Sequence, residues 1–215
     1  MFTTTPPVDR RFAQRGLSLI ELMISLTIGL FLMVGVASLL SSNMQFSTTS
    51  SKFVRLSQEM RAAMTFMQRD IRRAGSWGNA FASLSSSSTT NPFNSVDTST
   101  PGCILFTYDA DQDGTQNTSS GNDERYGFLL DSNAIKMRNG STTYSCASSN
   151  EWEAITSSAV NITSLTFTVT SETATSNTRV TVRKVTIAMT GQLTSDSSVT
   201  QSLTETVKIS NNKYN

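Results

Sequence analysis

Arg15-Gly16-Leu17-Ser18-Leu19-Ile20-Glu21 opens a run of 24 residues, Leu17 to Leu40, in which Glu21 is the only charge. About 20 apolar residues span a bilayer as a helix, so residues 17–40 read as a transmembrane segment. A carboxylate inside such a segment is expensive and marks a functional position. Arg10, Arg11 and Arg15 precede the run and hold a leader, residues 1–16, on the cytoplasmic side. A secretory signal would end in a small-residue cleavage site and be wholly removed. This run is longer, carries an internal acid and leads into a second helical pattern. A plain single-pass anchor explains its length but neither Gly16 nor Glu21.

Downstream, Phe53, Leu56, Met60, Ala63/Met64, Met67, Ile71 and Ala74 recur at steps of three and four, one stripe of an amphipathic helix. Residues 41–75 therefore read as a continuation of the first helix, capped by Gly75. No proline falls between Leu17 and Gly75. The Ser- and Thr-rich stretch Ser41–Ser51 has no stripe, and the helix is expected to loosen there. The stripe must lie on a globular head.

Residues 76–102, rich in Ser, Thr, Asn and Pro, read as a loop. Short β runs follow at Cys103–Tyr108, Tyr126–Leu130, Ala134–Arg138 and Trp152–Ile155, with Asp131-Ser132-Asn133 as the turn of a hairpin. Three longer strands are marked by Leu165, Phe167 and Val169, then by Val180 to Met189, and last by Leu203, Val207 and Ile209. The middle one changes phase near Arg183-Lys184, which suggests a bulge. The expected fold class is α+β, a lollipop in which one long N-terminal helix carries an antiparallel β-sheet head over 76–215. Trp77 and Trp152 read as packing anchors.

Composition narrows function. There is no His and there are two Cys, which disfavours His-based acid–base chemistry, catalytic triads and His- or Cys-rich metal sites. No pair of carboxylates stands in a recognisable catalytic motif, so an enzyme is the weakest class. Of 17 basic and 16 acidic residues, three Arg and Asp9 lie in 1–16, leaving 14 and 15. That balance does not point to nucleic acid as a main partner. The helix from Lys52 to Arg73 carries six basic and two acidic residues. They read either as a solvated face meeting acidic neighbours or, with interleaved aromatics, as a nucleic-acid patch. Cys103 and Cys146 lie across the membrane from the leader, where an oxidising compartment favours a disulfide; two separate buried thiols are the alternative.

Asp109-Ala110-Asp111-Gln112-Asp113-Gly114-Thr115 begins a calcium-loop pattern, with carboxylates at alternate positions and then a glycine turn. Asp109, Asp111 and Asp113 can converge on a Ca²⁺ ion, with the Thr115 carbonyl as a fourth ligand. The twelfth position is Ser120 rather than Glu, and Asp123 and Glu124, a few residues late, could close the site in another geometry. The alternative is an Asx-rich turn that binds nothing tightly.

The junction at Gly16, with its basic leader, apolar first mature residue and Glu21 at the fifth place, resembles the processing site of the type IV pilin and type II secretion pseudopilin superfamily. Met60-Arg61-Ala62-Ala63-Met64, the segment Asp70-Ile71-Arg72-Arg73-Ala74-Gly75, Cys103-Ile104 with Tyr108-Asp109, and Tyr126-Gly127-Phe128 resemble the minor pilins called PilW and their counterpart, pseudopilin J. The resemblance implies cleavage between Gly16 and Leu17 by a membrane-embedded prepilin peptidase, then methylation of the new amine. Gly16 has no Cβ, so the backbone can lie against a catalytic surface. Glu21 would neutralise the Leu17 amine of a neighbouring subunit, or of its own chain across one turn, and so set an assembly register.

Other minor pilins, the major pilin and an inner-membrane assembly platform are the implied partners. The expected course begins in the inner membrane with the head periplasmic and ends in the pilus. The expected role is a minor pilin priming assembly at the filament tip, in support of motility, adhesion or DNA uptake. Pseudopilin J of type II secretion is a second reading. A tip adhesin or DNA-binding module is a third, and any nucleic-acid contact is otherwise indirect.

Overall fold

The structure, a computed structural model, describes Gly16 and residues 18–81, 90–119, 121–140, 143–147, 151–174 and 177–214. A single helix, α1, runs from Leu19 to Arg73. The loosening expected over Ser41–Ser51 does not occur. Ser38 Oγ donates to the Val34 carbonyl at 3.0 Å and Thr48 Oγ1 to that of Gln45 at 2.8 Å. Such back-bonding satisfies the hydroxyls on the helix itself.

The chain divides into two compact units, Met1–Thr48 and Thr49–Asn215. Throughout the first, large apolar side chains from Leu19 to Phe46 are more than half exposed. Among the described residues, one helix, α1, is long and apolar enough to cross a membrane. An apolar surface of that extent is stable in lipid rather than in water.

In the second unit α1 delivers its stripe as expected: Leu56, Met60, Ala63, Met64, Met67, Ile71 and Ala74 are buried. Phe53 is the exception at 48% exposed, one turn before the first core position. The helix stops at Gly75, whose φ of 77° is the left-handed cap geometry. Its N–H donates to the Thr107 carbonyl at 2.9 Å, while Ser210 N–H reaches the Arg72 carbonyl at 3.0 Å. The helix end is thus tied to the head on both sides.

Two sheets, not one, receive that stripe. Strands β1 (Val96–Asp97), β2 (Cys103–Thr107), β3 (Arg125–Asp131), β4 (Ala134–Arg138) and β5 (Trp152–Ala154) form an antiparallel meander in chain order. Strands β6 (Val160–Ala174), β7 (Asn177–Leu193) and β8 (Asp196–Lys208) form a second, with β9 (Lys213–Tyr214) pairing β7. Alternation in the sequence marks strands but does not say which sheet they join. The β3–β4 hairpin turns at Ser132 and Asn133, both with positive φ of 53° and 63°, the two-residue turn that suits strand twist.

All five residues of β2 are buried, because it is covered on both faces. Ile104 and Phe106 join the main core with the α1 stripe, β3, β4 and β6–β8. Cys103 and Leu105 join Leu129 and Trp152 in a smaller cluster on the opposite face, which makes Trp152 a packing anchor as expected.

The bulge expected near Arg183-Lys184 is absent. Thr181, Arg183, Val185, Ile187, Met189, Gly191 and Leu193 are buried in one unbroken phase. Pairing shifts fall instead at Ile162/Ser164, Thr173/Ala174 and Gln192/Leu193. Val180 and Val182 lie on the half-buried face, while Thr181 and Arg183 take the inward positions; Arg183 Nη1 donates to the Asn94 carbonyl at 2.6 Å. Burial there pulls the guanidinium below its usual range.

Candidate functional site

Two places carry chemistry. The first is the helix start. The Ser18 carbonyl accepts from the N–H groups of Glu21 (3.0 Å) and Leu22 (3.2 Å), the opening bonds of α1. Glu21 sits in the first helical turn, where a carboxylate is favoured by the helix dipole and by unsatisfied N–H groups. It is exposed, as is Gly16. Gly16 has open space where a Cβ would be. Leu17 and residues 1–15 lie outside the described residues.

The second is the loop between β2 and β3. Asp109, Asp111 and Glu124 each place a carboxylate oxygen within 4.8 Å of the others. Antiparallel pairing produces this meeting: Tyr108 N–H donates to the Glu124 carbonyl at 3.3 Å, so the end of β2 lies beside the approach to β3. Asp109 and Glu124 are buried and Asp111 is exposed. Asp109 Oδ2 accepts from Gly78 N–H at 2.8 Å and Gly114 N–H at 3.0 Å. Glu124 accepts from Ala110 N–H at 2.7 Å on Oε1 and from Asn117 N–H at 2.9 Å on Oε2.

Two glycines permit that closeness. A Cβ on Gly78 would strike the Gln112 backbone, and one on Gly114, at φ +83°, would strike the Asn79 side chain. Trp77, read only as a packing residue, also donates its Nε1–H to the Gly114 carbonyl at 3.0 Å.

Of the other acidic candidates, neither Asp113 nor Asp123 joins this group. Asp113 accepts from Thr115 N–H at 2.6 Å and from Asn117 Nδ2 at 3.3 Å, which is Asx-turn chemistry. Ser120 lies outside the described residues. Asp123 turns the other way. Its carboxylate meets Arg125 Nε at 2.8 Å and Arg138 Nη2 at 2.8 Å, with its side chain 1% exposed. Burial pushes its acidity down, but hydrogen bonds from Arg125 and then Arg138 outweigh burial and hold the carboxyl below its ordinary value. Arg138 also donates to the Arg125 and Thr143 carbonyls, and both guanidinium groups lie 5.5 Å from the Tyr144 ring centre.

Cys103 and Cys146 are bonded, with Cα atoms 6.1 Å apart. The bridge fastens the segment bearing Tyr144 to the outer face of β2. Of the basic residues on α1, Arg73 lies 4.1 Å from the centre of the Tyr108 ring and Arg69 5.0 Å from that of Phe66. Tyr108 in turn stacks on Tyr126 at 3.9 Å, and burial, with the neighbouring Tyr126, pushes the Tyr108 phenol far up. Those rings are engaged with one another and with the helix.

Two protein-family models match the chain. The prokaryotic N-terminal methylation motif matches residues 11–37, the stretch that contains Gly16, Leu17 and Glu21. The model of prepilin peptidase-dependent protein B matches residues 49–209, almost the whole second unit. Neither the curated proteins nor the solved structures provide a match. With well over half its length covered by one family model, and with the processing motif at the head of an exposed apolar helix, the chain belongs to the prepilin peptidase-dependent protein B family and is a membrane-anchored, pilin-like protein.

Proposed function

We propose that this chain is a minor pilin: a structural subunit that joins other minor pilins, helps prime type IV pilus assembly and sits at the filament tip. The observation that carries the reading is Glu21, one carboxylate in the first turn of a helix whose apolar side chains are otherwise exposed for its first half. In lipid such a group is stable only with a partner, and the amine freed at Leu17 by cleavage after Gly16 supplies one. The chain begins in the inner membrane with its head periplasmic and moves into the filament when Glu21 docks. Prepilin peptidase, the major pilin and the inner-membrane assembly platform are its partners on that route. The PilW-like role and the support of motility, adhesion or DNA uptake belong to this proposal.

Glu21→Ala tests it. The variant is expected to be made, inserted and cleaved at wild-type levels, because position 21 lies beyond the scissile bond. It should fail to co-purify with other pilin-class subunits from detergent-solubilised membranes, and surface pili should fall to the level of a deletion strain. Normal piliation with Glu21→Ala would defeat the docking role. A deletion that leaves pili intact and abolishes protein export would assign the chain to type II secretion as a pseudopilin J-like subunit.

A further inference from the structure

We propose that Asp109, Asp111 and Glu124 form a calcium site that locks the β2–β3 loop onto the chain leaving the end of α1. Three carboxylates share a space in which their oxygens lie within 4.8 Å of one another. Asp109 and Glu124 are 3% and 2% exposed. Among the described residues, the ion pairs of the head engage Asp70, Asp123, Asp131, Glu172 and Asp196 and none of these three. Placing two buried acids beside a third, with no cation, is opposed both by desolvation and by like-charge repulsion.

Backbone amides meet part of that demand. Gly78 and Gly114 serve Asp109 Oδ2, and Ala110 and Asn117 serve Glu124. The other Asp109 oxygen, Oδ1, is buried with no hydrogen-bond partner. It is carried by the same carboxylate that faces Asp111 and Glu124. A buried acceptor left without a donor is costly, and a cation shared by the three acids satisfies it.

The donor set selects the ion. It is all carboxylate oxygen, without His or Cys, which favours a hard cation over a transition metal. Asp111 is exposed and leaves one side open to entry and to water ligands. Ca²⁺ takes six to eight oxygens in irregular geometry, whereas Mg²⁺ demands a near-ideal octahedron and gives up its water reluctantly. Glu124 reaches the site from the residue just before β3, so the loop is closed by the approach of β2 and β3 rather than by a twelfth-position Glu.

The same carboxylates also organise the helix exit. Asp109 N–H donates to the Ser76 carbonyl at 2.9 Å, and its Oδ2 holds Gly78. An ion on Asp109 therefore stiffens the segment directly after Gly75, and calcium binding is read out as stability of the head.

The test uses the full chain in detergent, freed of metal with a chelator and titrated with CaCl₂ or MgCl₂ by calorimetry and by thermal melting. One ion is expected to bind with a dissociation constant on the order of 10⁻⁵–10⁻³ M. At about 100 times that concentration the melting midpoint should rise by roughly 5–10 °C. Asp111→Asn removes one of three mutually repelling charges, so it should hold or raise the metal-free midpoint and weaken binding by roughly tenfold or more. Asp196→Asn, at a distant ion pair, should bind as wild type does. The absence of saturable heat and of any midpoint shift up to about 10 mM would overturn the site. So would an unchanged affinity in both Asp111→Asn and Glu124→Gln. Equal affinity for Mg²⁺ and Ca²⁺ would overturn its identity as a calcium site.

Discussion

Asp123→Asn is expected to destabilise the head by about 3–5 kcal/mol, the range for removing one partner of a buried ion pair. The loss comes from what remains. Arg138 has no exposed side-chain surface and Arg125 only 13%, so two guanidinium groups would face each other with their shared counter-ion gone. Arg138 bridges β3, through the Arg125 carbonyl, to the segment at Thr143, so the damage spreads beyond one contact. Urea unfolding of wild type and variant, followed by tryptophan fluorescence, measures it. The pH dependence gives a second readout. The folded carboxyl of Asp123 lies below its ordinary value, so its contribution is present above the unfolded value of about 3.9 and fades as pH falls through the folded one. The gap between wild type and Asp123→Asn should stay level from pH 8 to about pH 4 and narrow below that. A variant within about 0.5 kcal/mol of wild type, as for an ordinary surface change, would refute the buried-triad account.

The disulfide carries the second large effect. Cys103 and Cys146 are 43 residues apart, and closing a loop of that size removes about 4 kcal/mol of chain entropy from the unfolded state. Cys146→Ser should lose about that amount, because it leaves the Cys103 thiol in its apolar setting beside Leu105, Leu129 and Trp152. Wild type treated with reductant should behave like the variant, which separates loss of the bond from any effect of the serine. Stability unchanged in both would mean that the outer-face cluster holds this segment without its bridge.

Much of this arrangement is legible in the sequence where one physical rule acts alone. The charge pattern around Gly16 and Glu21 needs only the cost of a charge in lipid. The stripe from Leu56 to Ala74 needs only helical periodicity, which is why it holds residue by residue while Phe53, beyond the edge of the core, does not. Legibility fails where two rules compete. On β7, Thr181 and Arg183 face inward while Val180 and Val182 do not, so hydrophobic alternation changes phase where the strand has no bulge. Asp123 and Glu124 are adjacent and equally acidic, and composition alone makes both of them calcium ligands. Strand geometry separates them, since neighbours on an extended chain point to opposite faces. Asp123 shares its side with Arg125, two residues on, while Glu124 turns to Asp109. The role of Gly78 is invisible in the sequence, because the Gln112 backbone that it must clear is brought there only by the folded loop.

The central claim is that the residues at the head of α1 are a processing and docking signal and not a plain membrane anchor alone. Intact-mass spectrometry of the chain from membranes, with and without an active prepilin peptidase, tests it most directly. The account predicts loss of residues 1–16 and one added methyl on Leu17 only where the peptidase is active. A full-length, unmethylated chain in peptidase-positive membranes would contradict it and leave Glu21 without a function.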